Sequence, residues 1–315
     1  RRLARKTQVH PLVRNDHIHN RLTHSLEVSC VGRSLGLGVG AALRQRGDLP
    51  TEYTPDHLGQ IMQAACLAHD IGNPPFGHAG EEAIRDWFKD SGHREQYFKN
   101  LQPAEWADFT AFDGNAQGFR VINALENNKD RGGFRLTFPV IAALVKYPRS
   151  AYEAQGVGKS KFNFYTAERA LFAEIFGEMG LASGGGWRRH PLSYLLEAAD
   201  DICYRIIDME DARELRIISY ADFKEAMTPL LDAQCLDDPR LDSMDSDRRR
   251  TSMLRTTAMG RMIPSITQTF MDNYEAIMQG SLEGSLLNHA REDVAGFMSA
   301  AGRVFNSKIM KKKKK

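Results

Sequence analysis

The sequence predicts an all-α protein, on three observations. Apolar residues recur at helical spacing in one segment after another. Long alternating apolar and polar stretches, which mark half-buried strands, are absent. Gly and Pro cluster where one apolar stripe ends and the next begins. Taken in order, Leu22, Leu26, Cys30 and Val31 share one helical face after a candidate cap at Thr23. A second helix starts near Asp56 and carries Leu58, Ile61, Met62, Ala65 and Cys66 toward His69. Helices are then expected over residues 80–88, 115–125, 138–146, 167–179 and 192–209, and again over 220–231 and 248–277. A short strand is expected at 134–138, and the Gly-rich 183–186 and Asp-rich 237–247 read as loops. There is no internal repeat.

With 315 residues and 42% hydrophobic content, the chain is expected to form one large domain or two closely packed ones. No apolar run approaches 18 residues and no secretory leader pattern is visible, so a soluble protein without a membrane partner is expected. The four cysteines, Cys30, Cys66, Cys203 and Cys235, are scattered without a CxxC spacing. Three lie in apolar helical stretches, and the four read as reduced core residues of a cytoplasmic protein. The formal charge of +2 includes Lys311–Lys315, a tail given no functional weight. Without it 37 basic residues face 40 acidic ones, a charge of −3, and the body is no basic nucleic-acid binder.

The chemistry concentrates in the run Leu67-Ala-His-Asp-Ile-Gly-Asn-Pro-Pro-Phe-Gly-His-Ala-Gly-Glu81. Adjacent helical side chains diverge by about 100°. His69 and Asp70 converge on one ion only where the backbone turns, and Gly72-Asn73-Pro74-Pro75 supplies the turn. A surface pair near a helix end is the plainer reading of that dipeptide. His24, in Asn20-Arg-Leu-Thr-His-Ser-Leu-Glu-Val28, is a polar residue in an apolar-periodic helix, a metal ligand or a hydrogen-bonded core histidine. Asp200 sits at the edge of the stripe Leu195, Leu196, Ala199, Ile202, Cys203, Ile206 and Ile207, with Tyr204 and Asp208 following at i+4 and i+8. A desolvated carboxylate needs a partner, and either a metal or a salt bridge to Arg205 or Arg213 supplies one. Two imidazoles and two carboxylates form a mixed N/O set suited to Mn, Mg or Co, with Ni, Fe or Zn also accommodated. Its open positions leave room for water and a phosphoryl oxygen.

Together these segments resemble the HD-domain phosphohydrolases, whose metal set runs His…His-Asp…Asp. With Lys6-Thr-Gln-Val, Gly114-Asn-Ala-Gln-Gly118, Lys146-Tyr147 and Glu197-Ala-Ala-Asp-Asp-Ile-Cys-Tyr204 added, the chain is similar to the deoxyguanosinetriphosphate triphosphohydrolase (dGTPase) family. The resemblance implies an HD-type helical fold and metal-dependent hydrolysis of a dNTP, dGTP favoured, at the α-phosphorus to deoxynucleoside and triphosphate. It implies that His24, His69, Asp70 and Asp200 hold the metal and that His78 and Glu81 form the catalytic pair. Arg21 and Lys146 would grip the polyphosphate. Tyr204 would pack on the sugar against a 2′-hydroxyl, Asp208 and Gln8 would take the 3′-hydroxyl, and Asn115 and Tyr147 would line the pocket. Activity should fall below neutrality if His78 handles a proton. A homo-oligomer, a hexamer by family analogy, and single-stranded DNA as an effector are implied in the same way.

The motifs place a catalytic core over residues 1–215, a helical extension over 216–310 and the lysine tail over 311–315. The family has further sequence upstream of Arg1 and beyond Met310, and without the latter region base selectivity is open. Residues 127–133 read as an added loop, as do 237–247. Two other functions compete. One is an HD-type phosphodiesterase or nucleotidase on another phosphate ester. The other is a non-catalytic nucleotide or single-strand DNA sensor, which has no use for His78 and Glu81.

Overall fold

In the computed structural model the described residues, 2–11, 15–127 and 132–309, are mostly helical. Residues 128–131 of the added loop and the tail 311–315 lie outside them. The helices are α1 (Arg21–Arg46), α2 (Pro55–Ala68), α3 (His78–Lys89), α4 (Ser91–Tyr97), α5 (Pro103–Thr110), α6 (Gly114–Arg120), α7 (Phe138–Leu144), α8 (Ala151–Gly156) and α9 (Arg169–Glu178). They continue with α10 (Pro191–Glu214), α11 (Tyr220–Met227), α12 (Ala233–Leu236), α13 (Pro239–Asp242), α14 (Asp247–Asp272), α15 (Tyr274–Gln279) and α16 (Glu292–Val304). The chain forms two compact units that interleave along the sequence. The first comprises the chain up to Pro11, Asn20–Ser29 and Ile61–Leu196, and the second holds the remainder.

Asn20, not Thr23, caps α1. Asn20 Oδ1 accepts from the amides of Leu22 and Thr23 at 2.9 and 3.3 Å, while Thr23 Oγ1 accepts from the Asn20 amide at 3.1 Å. The helix buries His24, Ser25, Val28, Val31, Leu35 and Val39, so Leu22, Leu26 and Cys30 face outward. That corrects the apolar face expected from sequence: the first turn spends its buried side on polar groups. Among the described residues α1 is also the one helix long and apolar enough, by length and composition, to cross a membrane. The expectation that no stretch approaches that length is corrected here. Val28, Leu35 and Val39 on this helix are fully shielded within the protein.

The first unit is organised around a stack of rings. Phe164, Phe172 and Phe176 follow one another at 4.1 Å between centroids, and Trp187 meets the last two edge-on. Trp187 belongs to a two-residue hairpin, β1 (Ala182–Ser183) with β2 (Gly186–Trp187), so the expected Gly-rich loop is its tight turn. Gly184 and Gly185 take φ of 55° and 83°, the left-handed values that such a turn requires. The strand expected at 134–138 does not form. Arg135 takes a left-handed φ of 54°, which interrupts an extended run, the Phe134 amide donates to the Ile122 carbonyl at 2.7 Å, and Phe138 opens α7 with a proline in its first turn.

Helix α6 passes into a π-turn, Val121–Leu125, where one continuous helix was expected. In the second unit α14 buries Thr251, Leu254, Ala258, Met262, Ile266 and Phe270, and stops at Asn273 before α15 instead of running through to 277. The acidic stretch 237–247 is not all loop, because Asp238 caps α13 by accepting from the Arg240 amide at 2.8 Å.

His190, at the entry to α10, is buried, and its Nδ1 accepts from the Leu192 amide at 3.2 Å. Burial pushes its pKa down to about 4, so the folded protein keeps this ring neutral. An unfolded chain protonates it near pH 6.5. Between those values the unfolded state binds the extra proton, so stability falls as pH falls from 6.5 to about 4. His190→Asn should remove roughly 3 kcal/mol of that acid sensitivity, read from urea melts at pH 7 and pH 4.5. An unchanged difference between the two melts would contradict the assignment.

Candidate active site

Helix α2 ends at Ala68 because the chain turns into Gly72, Pro74 and Pro75, which cannot extend its hydrogen-bond ladder. The turn is held by Ile71 N–H on the Ala68 carbonyl and Asn73 N–H on the Asp70 carbonyl, both at 3.1 Å. His69 Nδ1 donates to the Cys66 carbonyl at 2.7 Å, which fixes the tautomer and leaves Nε2 as the ring's basic edge. That nitrogen lies 3.6 Å from Asp70 Oδ1. His24 approaches from α1, with its ring centroid 5.5 Å from that of His69. One donor atom each from His24, His69 and Asp70 fall within 4.8 Å of one another.

Buried imidazoles converging with a carboxylate fit a divalent cation of the N/O-preferring kind. The carboxylate is itself oriented: Arg21 Nη1 donates to Asp70 Oδ2 and Asn73 Nδ2 to Oδ1, each at 2.5 Å. Lys6 reaches the same turn and donates to the Asn73 carbonyl at 2.6 Å. Burial lowers its pKa, the charges of Arg2 and Arg21 push the same way, and Asp70 opposes them.

The turn is seated on α6 by contact between backbones. A Cβ built on Gly72 would stand 2.6 Å from the Gln117 carbonyl carbon and overlap the Gly118 nitrogen and the Gly114 oxygen outright. The segments His69–Glu81 and Gly114–Gly118, separate in sequence, are therefore one structure. The next two residues of the run, Phe76 and Gly77, both take positive φ, 66° and 55°. For an aromatic residue that conformation costs on the order of 1–3 kcal/mol, and such outliers cluster at functional sites.

That backbone reversal delivers His78 and Glu81 to the first turn of α3. His78 is exposed, and its Nδ1 donates to Glu81 Oε2 at 2.9 Å. Glu81 is buried, and its Oε1 accepts from the Gly114 amide at 2.8 Å. Burial alone would raise the Glu81 pKa. The bonds from His78 and Gly114 and the charge of Lys161 outweigh it and hold the carboxyl below its usual range.

Asn115 donates from its amide side chain to Asp113 Oδ1 at 2.7 Å and lines, with His69 and Asn163, a small cavity of about 10 Å³. Tyr147 is tied through its backbone amide to Asn163 Oδ1 at 2.7 Å, and Lys146 precedes it, half-buried. Gln8 carries a buried Oε1 with no hydrogen-bond partner among the described residues.

The first unit thus gathers His24, His69, Asp70 and Arg21 in one cluster and His78 with Glu81 in another. Asp200, Tyr204 and Asp208 belong to the second unit, at successive one-turn steps of α10, with Asp208 buried and the other two half-buried. Tyr204 packs against Phe305 at 5.9 Å between ring centroids.

Sequence reasoning missed Asn73, Asp113, Lys6 and Lys161. The cap position before Gly114 pointed to Asp113, but no periodicity or spacing pointed to Lys161.

Residues 21–105 match the HD domain family. The whole chain is 44% identical to a deoxyguanosinetriphosphate triphosphohydrolase-like protein of Pseudomonas aeruginosa and spans 72% of its length. A protein of the same name from Synechocystis is 41% identical over 92% of the chain and 68% of the relative. The deoxyguanosinetriphosphate triphosphohydrolase of Salmonella enteritidis is 32% identical over 96% of the chain and 66% of the relative.

Proposed function

Because this chain belongs to the deoxyguanosinetriphosphate triphosphohydrolase-like family of HD-domain proteins, we propose that it splits a dNTP, with dGTP favoured, into deoxynucleoside and inorganic triphosphate. The carrying observation is the buried His24–His69–Asp70 donor group with Arg21 beside it, in the same unit as the His78–Glu81 pair. His24, His69 and Asp70 would hold a divalent ion, Mn, Mg or Co before Ni, Fe or Zn, and Asp200 would be the fourth ligand. Bound there, the ion supplies Lewis acidity toward a phosphoryl oxygen and a more acidic water.

The protein's own groups do the rest. Water oxygen bonds to the α-phosphorus, the bond from that phosphorus to O5′ breaks, and the nucleoside leaves with a proton on O5′. Glu81 holds His78 Nδ1, so Nε2 is the ring atom that exchanges this proton. Arg21 already bridges to Asp70; its remaining donors and Lys146 take the polyphosphate. Tyr204 packs on the deoxyribose, Gln8 and Asp208 take the 3′-hydroxyl, and Asn115 and Tyr147 line the pocket. Assembly as a homo-oligomer, a hexamer by family analogy, and response to single-stranded DNA belong to the same proposal.

Incubation with dGTP and Mn²⁺, with the phosphate products separated by ion-exchange chromatography, tests it. Triphosphate and deoxyguanosine in equal amounts are expected. Pyrophosphate or orthophosphate as the first product would replace the proposal with another HD-type hydrolysis, and dGTP binding without turnover would replace it with a sensor.

A further inference from the structure

Glu81 does not stand alone behind His78. Lys161 Nζ lies 3.1 Å from Asp113 Oδ2 and 3.8 Å from Glu81 Oε2, between two carboxylates that are 1% and 2% exposed. Asp113 is itself fixed. Its Oδ1 accepts from the Asn115 amide nitrogen at 2.8 Å and from Asn115 Nδ2 at 2.7 Å, and its carbonyl accepts from Tyr165 Oη at 3.4 Å. The chain of contacts therefore runs from His78 at the surface through Glu81, Lys161 and Asp113 to Asn115.

Arg85 Nη1 lies 3.9 Å from Glu81 Oε2 and donates at 3.1 Å to the Phe112 carbonyl, whereas Lys161 meets Asp113 as well as Glu81. The neighbouring α5 carries two carboxylates, each held by a backbone amide elsewhere. Its Glu105 accepts from the Gln102 amide, and its Asp108 from the Thr166 amide.

We infer that Lys161, bridging Asp113 and Glu81, is a positioning residue that keeps the Glu81 carboxylate ionised and aimed at His78 Nδ1. Removing the cation that both buried carboxylates share leaves their negative charge less well compensated. Without it, the interior negative charge is relieved by a proton on Glu81, and a protonated Glu81 no longer accepts from His78 at full strength. Lys161 touches no reacting atom in this scheme and acts through Glu81. The inference rests on the proposed role of His78 and Glu81, but its first readout does not need the reaction.

In metal-free protein, the Glu81 carboxyl carbon is followed by NMR against pH, assigned by its disappearance in Glu81→Gln. Lys161→Gln should raise the Glu81 midpoint by about one unit, the lower end of what an opposite charge at this range produces. Lys161→Arg should return it toward wild type. Turnover of dGTP by the metal-loaded enzyme should follow, with the acid limb of kcat moving up by a similar amount and KM changing less than twofold. Asp113→Asn gives an independent reading should Lys161→Gln fail to fold. It frees the ammonium to act on Glu81 alone and should lower the midpoint. An unmoved Glu81 midpoint in a Lys161→Gln protein that melts like wild type overturns the inference, as does an unmoved or raised one in folded Asp113→Asn. Absent turnover with a shifted midpoint would leave the clamp standing and count against the proposed reaction.

Discussion

Asp70→Asn is expected to lower kcat for dGTP about a thousandfold, equivalent to roughly 4 kcal/mol of barrier, with loss of Mn²⁺ binding measured by calorimetry. The substitution keeps the size and shape of the side chain, so packing is preserved. What changes is charge: a neutral amide is a poor ligand for a divalent ion, and its nitrogen cannot accept a hydrogen bond. Asp70 uses both oxygens, on Arg21 and on Asn73. The variant therefore also leaves the Arg21 guanidinium less well paired, and a stability loss of about 1–3 kcal/mol accompanies the loss of activity. A folded Asp70→Asn protein with wild-type Mn²⁺ affinity and turnover would remove Asp70 from the site. The discriminating comparison is Asn73→Ala, which loses one bond to the carboxylate and no charge. It should weaken Mn²⁺ by about 10- to 100-fold, the usual effect of losing an outer partner of a ligand.

Gly72→Ala is the second large effect, and it acts on the fold. A methyl group at this position has nowhere to go, because the surrounding atoms are the backbone of Gly114, Gln117 and Gly118, not the ends of flexible side chains. Relief requires moving the His69–Glu81 turn off α6. Overpacking of side chains alone costs about 1–3 kcal/mol, and a clash with fixed backbone exceeds that. A loss of about 3 kcal/mol or more in chemical denaturation is expected, together with loss of the Glu81–Gly114 hydrogen bond. Gly156→Ala is the control, since a Cβ there meets nothing within 4 Å. If Gly72→Ala melted like Gly156→Ala, the close approach of the two segments would be wrong.

Much of this was legible in the residues. Helical spacing located the main helices, and the break at Gly72–Pro75 placed His69 and Asp70 where adjacent side chains converge. The errors share a physical cause. Counting apolar residues on α1 selected Leu22, Leu26 and Cys30, whereas the helix buries His24 and Ser25, because hydropathy gives no credit to polar groups that meet partners inside. Thr23 is a cap-type residue near the helix start, but the cap falls on Asn20 because the helical φ and ψ begin just after it, at Arg21. The strand expected at 134–138 had the right composition, but Arg135 turns into the left-handed region and α7 already begins at Phe138. Lys161 was invisible because a charged residue in a polar loop looks the same whether it meets solvent or two interior carboxylates. Its role exists only in the folded arrangement.

The seating of Gly72 on α6 has a further consequence for how such chains tolerate change in length. Because the two segments meet backbone to backbone, the stretch joining them, from the end of α3 to the start of α6, does not set their distance. Entropy charges little for lengthening a connection whose ends are already fastened, about 0.6 kcal/mol for each doubling. Insertions should therefore accumulate at residues 99–101, between the packed Phe98 and the α5 cap at Gln102, while a single added carbon at residue 72 is refused.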